Sequence, residues 1–320
     1  MTEPLRWGII STGGIARTFV DDLQYTDGDI AVAVGSRSIE SADSFADDFN
    51  IARRYASYEE LVKDPDVDVV YIGTPHPMHF ENTKLALENG KPVLVEKAFT
   101  MTERQATELV ELAAARNLFL MEAMWTRCLP HIAVVKELIA DGEIGDIVAI
   151  EADHGQRFDY DPSSRWFNPE LGGGALLDLG VYPVSFASML LGEPATMLRL
   201  IDFALTGVDQ QMSIIFGYAG GAQAYLNTTT LSKTPTTATI SGTKARIEID
   251  GDFYAPSAFS LKTRDGSVRR FEFPTQGRGL HYEATEVARC LRDGLKESPL
   301  MPLAESVSIM RTMEKLLASP

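Results

Sequence analysis

Leu5-Arg6-Trp7-Gly8-Ile9-Ile10-Ser11-Thr12-Gly13-Gly14-Ile15-Ala16 is an apolar run of buried-strand length that breaks into a turn of small residues. Past the turn, Phe19, Val20 and Leu23 recur at helical spacing, and Ile30-Ala31-Val32-Ala33-Val34 forms a second apolar run. Strand, turn, helix and strand in this order form a dinucleotide-binding unit. The first N–H groups of the helix and the positive end of its dipole then face a pyrophosphate. The second run leads into Gly35-Ser36-Arg37-Ser38 and reaches no carboxylate. An acidic residue there would grip the ribose 2′-hydroxyl of NAD, whereas an arginine accommodates the 2′-phosphate of NADP. The reading is therefore NADP, with NAD as the less favoured cofactor.

Ser11, Thr12, Gly13, Gly14 and Ile15 are the expected phosphate loop, with Ser36 and Arg37 at the ribose. The usual pattern is G-x-G-x-x-G/A, and Ser11 stands at its first glycine. Serine makes that turn if φ stays negative, which leaves its hydroxyl to bond a phosphate oxygen. Gly13 allows close backbone approach, and small Ala16 allows the helix to pack on the strand.

Strands and helices alternate up to about residue 123. Helical signals cover 39–49 and 58–62, and Val67–Ile72 is a strongly apolar strand ending in Gly73-Thr74-Pro75-His76-Pro77-Met78-His79. A helix to Leu87, the strand 92–95, a helix over 102–116 and the strand 118–121 follow. This alternation predicts an α/β fold, a Rossmann-type doubly wound parallel sheet over 1–123. After that the rhythm changes to a helix near 131–140, a strand at 147–152 and a glycine-rich helix start at Gly172-Gly173-Gly174. Strand-like stretches at 196–205, 210–217, 222–230, 236–240, 245–249, 259–263 and 268–273 are separated by turn signals, and helices close the chain at 281–293 and 303–317. Residues 124–320 thus read as a substrate-binding and dimerisation domain, α+β, with a large, mostly antiparallel open sheet. Such a sheet needs a cover on its second face, and a second copy of the chain is the expected one, giving a homodimer or a dimer of dimers.

Composition bounds the partners. The chain has 320 residues, enough for two cores. A formal charge of −16 without a basic stripe argues against nucleic acid and anionic membrane as partners. Cys128 and Cys290 stand far apart with no metal-type spacing and read as packed thiols of a reducing compartment. The first strand begins so near Met1 that no signal peptide is expected, and no apolar stretch is read as long enough to cross a membrane. The expected location is the cytoplasm.

Ligands of a doubly wound sheet sit outside the carboxyl ends of its strands. Lys97 follows Val93-Leu94-Val95-Glu96 at such an end, where an ammonium can hold a substrate oxygen and stabilise developing negative charge. In Gly172-Gly-Gly-Ala-Leu-Leu-Asp178-Leu-Gly-Val-Tyr182-Pro183, four-residue spacing puts Asp178 and Tyr182 on one side of a helix. Pro183 bends or restarts that helix, because it lacks the N–H that would bond Leu179. A tyrosine ionises near pH 10, and a neighbouring ammonium favours the phenolate, so Tyr182 is the candidate for proton exchange while Asp178 orients substrate. Thr74, Pro75, His76, His79 and Glu96 are expected to line the cofactor mouth. Trp125 and Arg127 are expected to stack on the nicotinamide or hold phosphate. Phe158, Arg165 and Trp166 are the substrate candidates in the second domain. No third ligand accompanies His76 and His79, so no metal is expected.

Taken together, Gly8–Ala16, Thr74-Pro75-His76, Glu96-Lys97 and Gly172–Asp178 resemble the glucose-fructose oxidoreductase / inositol dehydrogenase (Gfo/Idh/MocA) family. Within it, Glu122-Ala-Met-Trp-Thr-Arg127 and Gly180-Val-Tyr-Pro183 resemble the branch of dimeric dihydrodiol dehydrogenase and NADP-dependent D-xylose dehydrogenase. The resemblance implies a two-domain NAD(P)-dependent oxidoreductase acting on a carbinol or carbonyl of a sugar, cyclic polyol or trans-dihydrodiol. It assigns Lys97 to substrate and proton transfer. It puts Tyr182 where many members carry a histidine, and Ala98 where most carry a proline. Two other readings stand beside it. One is a sugar transhydrogenase that keeps its NADP tightly held; the other is a non-catalytic NADP-binding sensor, for which neither Lys97 nor Tyr182 would be needed.

Overall fold

The computed structural model describes residues 4–318. The chain gathers into two units, one built from the segment up to Trp125 together with Thr275–Val307, the other from Thr126–Pro274 together with the chain from Ser308 onward. In the first unit, β1 (Arg6–Ile10), α1 (Gly14–Asp22), β2 (Ile30–Gly35), α2 (Ile39–Phe49), β3 (Arg53–Tyr55), α3 (Tyr58–Leu61) and β4 (Val69–Ile72) alternate. They are followed by α4 (His79–Glu88), β5 (Val93–Glu96), α5 (Glu103–Arg116) and β6 (Leu120–Ala123). The strands pair in parallel in the order β3-β2-β1-β4-β5-β6. β4, β5 and β6 are buried at every residue, as strands covered by helices on both faces must be. Ser38, Ser57 and Thr102 cap α2, α3 and α5 by accepting a backbone N–H three residues on, whereas no side chain caps α1. Strand order reverses between β1 and β4, so the ligand edge is made by residues 11–16 and 73–79.

The second unit opens with α6 (Pro130–Ala140), β7 (Ile147–Gly155) and α7 (Val181–Leu191). The remaining strands are β8 (Thr196–Phe203), β9 (Asp209–Gly217), β10 (Gln223–Thr229), β11 (Ala238–Gly242), β12 (Ala245–Ile249), β13 (Phe259–Thr263) and β14 (Val268–Phe271). They form one sheet in the order β14-β13-β12-β11-β7-β10-β9-β8, antiparallel except where β7 meets β10. Alternation sets its two faces. Met212, Ile214, Phe216, Ala224, Leu226, Ile150 and Ala152 are buried, while Leu198, Ile215 and Tyr225, which pair side by side across β8, β9 and β10, stand exposed with Leu200.

Two sequence expectations need correction. Residues 275–307 were placed with the second domain, but α8 (His281–Arg292) and its flanks gather with the first. Asp22, buried at the end of α1, accepts the N–H groups of Arg278 (2.9 Å) and Leu280 (2.7 Å). The Lys296 carbonyl accepts the Leu120 N–H (3.1 Å), which covers the edge strand β6. The last helix, α9, is Leu303–Leu317. The second correction concerns Pro169–Leu191, a run of 23 residues long and apolar enough to span a bilayer, contrary to the reading that none exists. Most of it is buried inside the second unit, so its apolarity serves the core.

Candidate active site

Candidate residues lie in both units, and each group follows from its local framework. In the first, the turn after β1 leaves Gly13, Gly14 and Ile15 exposed and Thr12 half-buried at the uncapped start of α1. A side chain at Gly14 would meet open space, so nothing in the unit crowds the helix N-terminus. That is the arrangement a pyrophosphate needs, because the first N–H groups of a helix want an anionic acceptor. Ser11 departs from expectation: its φ is +137°, in the range that favours glycine, where a negative φ was anticipated. Its hydroxyl does not wait for phosphate but accepts the Gly13 N–H at 3.1 Å, which steadies the strained turn.

At the end of β2, Ser36 is buried and Arg37 exposed. Burial pushes the Tyr58 phenol pKa up and the neighbouring Arg37 charge pulls it back, which places the guanidinium beside that ring. Among the described residues no carboxylate pairs with Arg37. It is a cation left open toward an anion, and these residues fit NADP at the ribose 2′-phosphate.

Lys97 is half-buried on a loop held from three sides. Tyr71 donates to Glu96 Oε1 (2.7 Å), while Glu96 Oε2 accepts the Lys97 N–H (3.2 Å). Glu122 Oε1 accepts the Phe99 N–H (3.1 Å). His79 contacts the Ala98 carbonyl through Nδ1 (2.8 Å) and the Thr74 carbonyl through Nε2 (2.7 Å). Two expectations change here. His79 is fully buried with both ring nitrogens engaged, and burial pushes its pKa down, so it ties the 74–79 and 96–99 loops together and does not line a mouth. Glu96 is likewise buried, and its carboxylate braces the Lys97 loop from behind. Thr74, also buried, accepts from Asn82 Nδ2 (3.1 Å), His76 is buried against His79, and Pro75 is exposed at the ligand edge. Trp125 is half-buried.

In the second unit, Asp178 lies in a π-turn, Leu176–Gly180, that runs directly into α7 with Tyr182 in its first turn. The wider turn is the response to Pro183, which has no N–H to offer the Leu179 carbonyl. Asp178 is buried and faces the Arg165 guanidinium in a two-pronged contact, 3.3 and 3.4 Å. Arg165 lies 3.7 Å over the Trp166 ring, and Trp166 stacks on Phe158 at 3.6 Å. The three substrate candidates thus form one layered group that ends on Asp178. Tyr182 is nine-tenths buried, its ring 5.3 Å from His154 and 4.6 Å from Tyr254, which themselves stack at 4.3 Å. Arg127, expected at the cofactor, is buried with Nε and Nη2 on Ser185 of α7 (3.2 and 2.9 Å). Its guanidinium holds that helix and does not present itself to phosphate.

His154 and Tyr254 were not singled out from sequence. His154 did leave a signal, because it occupies the inward phase of β7 after Ile150 and Ala152, where an apolar residue is the default. Tyr254 sits in a turn and left none. Among the described residues no group of three or more His, Cys, Asp or Glu side chains is placed to hold a metal.

A doubly wound sheet ordered 3-2-1-4-5-6, with an open helix N-terminus at its switch point, defines a dinucleotide-binding Rossmann fold. Family comparison agrees. The model of the oxidoreductase family with NAD-binding Rossmann fold matches residues 5–124, and that of the GFO/IDH/MocA C-terminal domain matches 132–248. The chain belongs to the GFO/IDH/MocA oxidoreductase family. It is 40% identical to trans-1,2-dihydrobenzene-1,2-diol dehydrogenase of Xenopus tropicalis, over 98% of this chain and 97% of that one. It is 39% identical to D-xylose 1-dehydrogenase (NADP(+)) of Hypocrea jecorina, over 98% and 91%. Among solved structures, the 3-ketoreductase of Actinomadura kijaniata in complex with NADP and TDP-benzene superposes with a TM-score of 0.86 at 25% identity, covering 98% of this chain and 96% of that one. The aldose-aldose oxidoreductase of Caulobacter crescentus shares the fold, with a TM-score of 0.90 at 22% identity over 98% and 96%.

Proposed function

We propose that this protein is an NADP-dependent dehydrogenase or reductase that interconverts a carbinol and a carbonyl on a sugar, a cyclic polyol or a trans-dihydrodiol. Thr12, Gly13, Gly14 and Ile15 hold the pyrophosphate by backbone N–H groups, and Ser36 and Arg37 hold the 2′-phosphate. When bound, the nicotinamide supplies or takes up the electron pair at the carbinol carbon. The chain's own residues manage the proton. Tyr182 Oη takes the hydroxyl proton during oxidation and returns it during reduction. The Lys97 ammonium stabilises the oxygen as charge develops. Asp178, held by Arg165, accepts a neighbouring substrate hydroxyl, and the Arg165–Trp166–Phe158 stack offers a flat apolar surface to a ring.

The observation that carries this reading is the Lys97 loop, braced by Glu96, His79 and Glu122. A protein that only binds dinucleotide gains nothing from fixing a lysine so firmly at its ligand edge. Names of relatives support the substrate class, one acting on a diol and one on xylose with NADP. We also infer a homodimer, in which the exposed row Leu198, Leu200, Ile215 and Tyr225 meets its copy.

Tyr182→Phe tests the assignment. Loss of a general acid–base is expected to lower kcat by about 10²–10⁴-fold while the NADP dissociation constant stays within about twofold. Full turnover by the variant would remove the proton role.

A further inference from the structure

Asp209, at the start of β9, is buried and is used by nothing in the mechanism above. Its Oδ2 accepts the Leu176 N–H at 2.6 Å, and the Ala175 N–H also bonds the carboxylate. These are the first N–H groups of the segment that carries Asp178 and, one turn further, Tyr182. Backbone on every side explains the glycines. Gly173 has no room for a Cβ against the Trp166 and Asn168 carbonyls, and a Cβ on Gly174, whose φ is +128°, would run into Asp209 Oδ1. From β10, the Thr228 hydroxyl donates to the Ala175 carbonyl (3.3 Å). The segment therefore has one adjustable anchor at its start, the Asp209 carboxylate.

We propose that Asp209 is a positioning residue for turnover: its ionised carboxylate fixes the first turn of the Asp178–Tyr182 segment and so the placement of both side chains. The proposal rests on the reading that Asp178 and Tyr182 act on substrate. An ionised carboxylate accepts two N–H groups at once, whereas a protonated one must turn its O–H away from a donor and gives up one of them. Burial pushes the Asp209 carboxyl up to about 6, with the N–H groups of Leu176, Asp209 itself and Ala175 pulling it back down. What faces it is backbone and the Thr228–Ala175 contact; among the described residues no charged side chain adds to its titration, and the Asp178–Arg165 pair lies a turn away. Because the folded value lies above the ordinary carboxylate one, protonation favours the fold. Stability contributed by this group grows as pH falls through about 6, so its own protonation is not a cause of unfolding in that range, and the melting temperature recorded alongside shows whether other groups unfold the protein there.

The experiment is the pH profile of kcat for wild-type protein, Asp209→Asn and Tyr182→Phe, with melting temperature and NADP affinity recorded alongside. Wild type is expected to lose turnover below roughly pH 6 and to level off about tenfold lower, over an interval in which the melting temperature shows the protein still folded. Asp209→Asn, which cannot ionise, is expected to lose that limb and to turn over about tenfold more slowly at neutral pH, with unchanged NADP affinity. A wild-type profile flat down to about pH 5, or an Asn variant with wild-type kcat and the same limb, overturns the proposal. A flat wild-type profile overturns the proposal even if the variant does not fold, whereas the loss of the limb in Asp209→Asn assigns it to Asp209 and not to Tyr182. Full activity in Tyr182→Phe would instead overturn the reading beneath it, whereas an inactive Tyr182→Phe beside an unaltered Asp209→Asn defeats only the role of Asp209.

Discussion

Arg37→Asp separates the two cofactors on a single side chain. The guanidinium is exposed, lies beside Tyr58 and, among the described residues, has no carboxylate partner, so it is available to a phosphate without first breaking an ion pair. Charge-assisted hydrogen bonds from arginine to phosphate contribute about 1.5–3 kcal/mol. Putting a carboxylate in its place adds like-charge repulsion, about 1–2 kcal/mol at an exposed site after screening. The sum, about 2.5–5 kcal/mol, corresponds to a loss of just under two to three and a half decades in NADP affinity. NAD carries no 2′-phosphate, and an aspartate can accept its ribose hydroxyl, so its affinity should hold or improve by up to about tenfold. Titration calorimetry with both dinucleotides on both proteins gives the four constants. An equal loss for NADP and NAD would refute the reasoning, since a residue that reads the 2′-phosphate cannot treat them alike.

Two further outcomes test the framework around the site. Glu283 of α8 is fully buried with both carboxyl oxygens unpartnered, and burial together with the charges of Glu96 and Asp22 pushes its pKa well up. The folded protein therefore holds a proton there that the unfolded chain releases, and stability from this group is lost as pH rises above the ordinary carboxylate range. Glu283→Gln should flatten that decline and melt higher than wild type at alkaline pH; a variant less stable at every pH would contradict it. Ser11→Gly relieves a backbone conformation that costs about 1–3 kcal/mol and gives up a hydrogen bond of about 1 kcal/mol, so a neutral to slightly higher melting temperature is expected. A drop of several degrees would mean that the hydroxyl matters more than the strain.

Periodicity made most of the fold legible. The segments 39–49, 245–249, 259–263 and 303–317 coincide with α2, β12, β13 and α9, because alternation or helical spacing was unbroken there. β3 was missed, since Arg53-Arg54-Tyr55 is short, polar and only partly buried at a sheet edge. The 275–307 segment was misplaced because the contact that recruits it, Asp22 to the Arg278 and Leu280 backbone, joins residues distant in the chain and leaves no local pattern. The same limit separates the site residues. Lys97, Asp178 and Tyr182 are proposed from strand ends and spacing, whereas the buried roles of His79, Glu96 and Arg127 depend on long-range partners. Ser11 looked compatible with an ordinary turn because a sequence does not display its φ.

The central claim is oxidoreductase chemistry at a carbinol with NADP. It is tested most directly by reduced-nicotinamide absorbance when the purified protein meets aldoses, cyclic polyols and trans-dihydrodiols with NADP or NAD. Turnover is predicted with at least one of these classes, with kcat/KM for NADP about 10²-fold above that for NAD. A protein that binds NADP tightly yet produces no absorbance change with any of them, in either direction, would contradict the account.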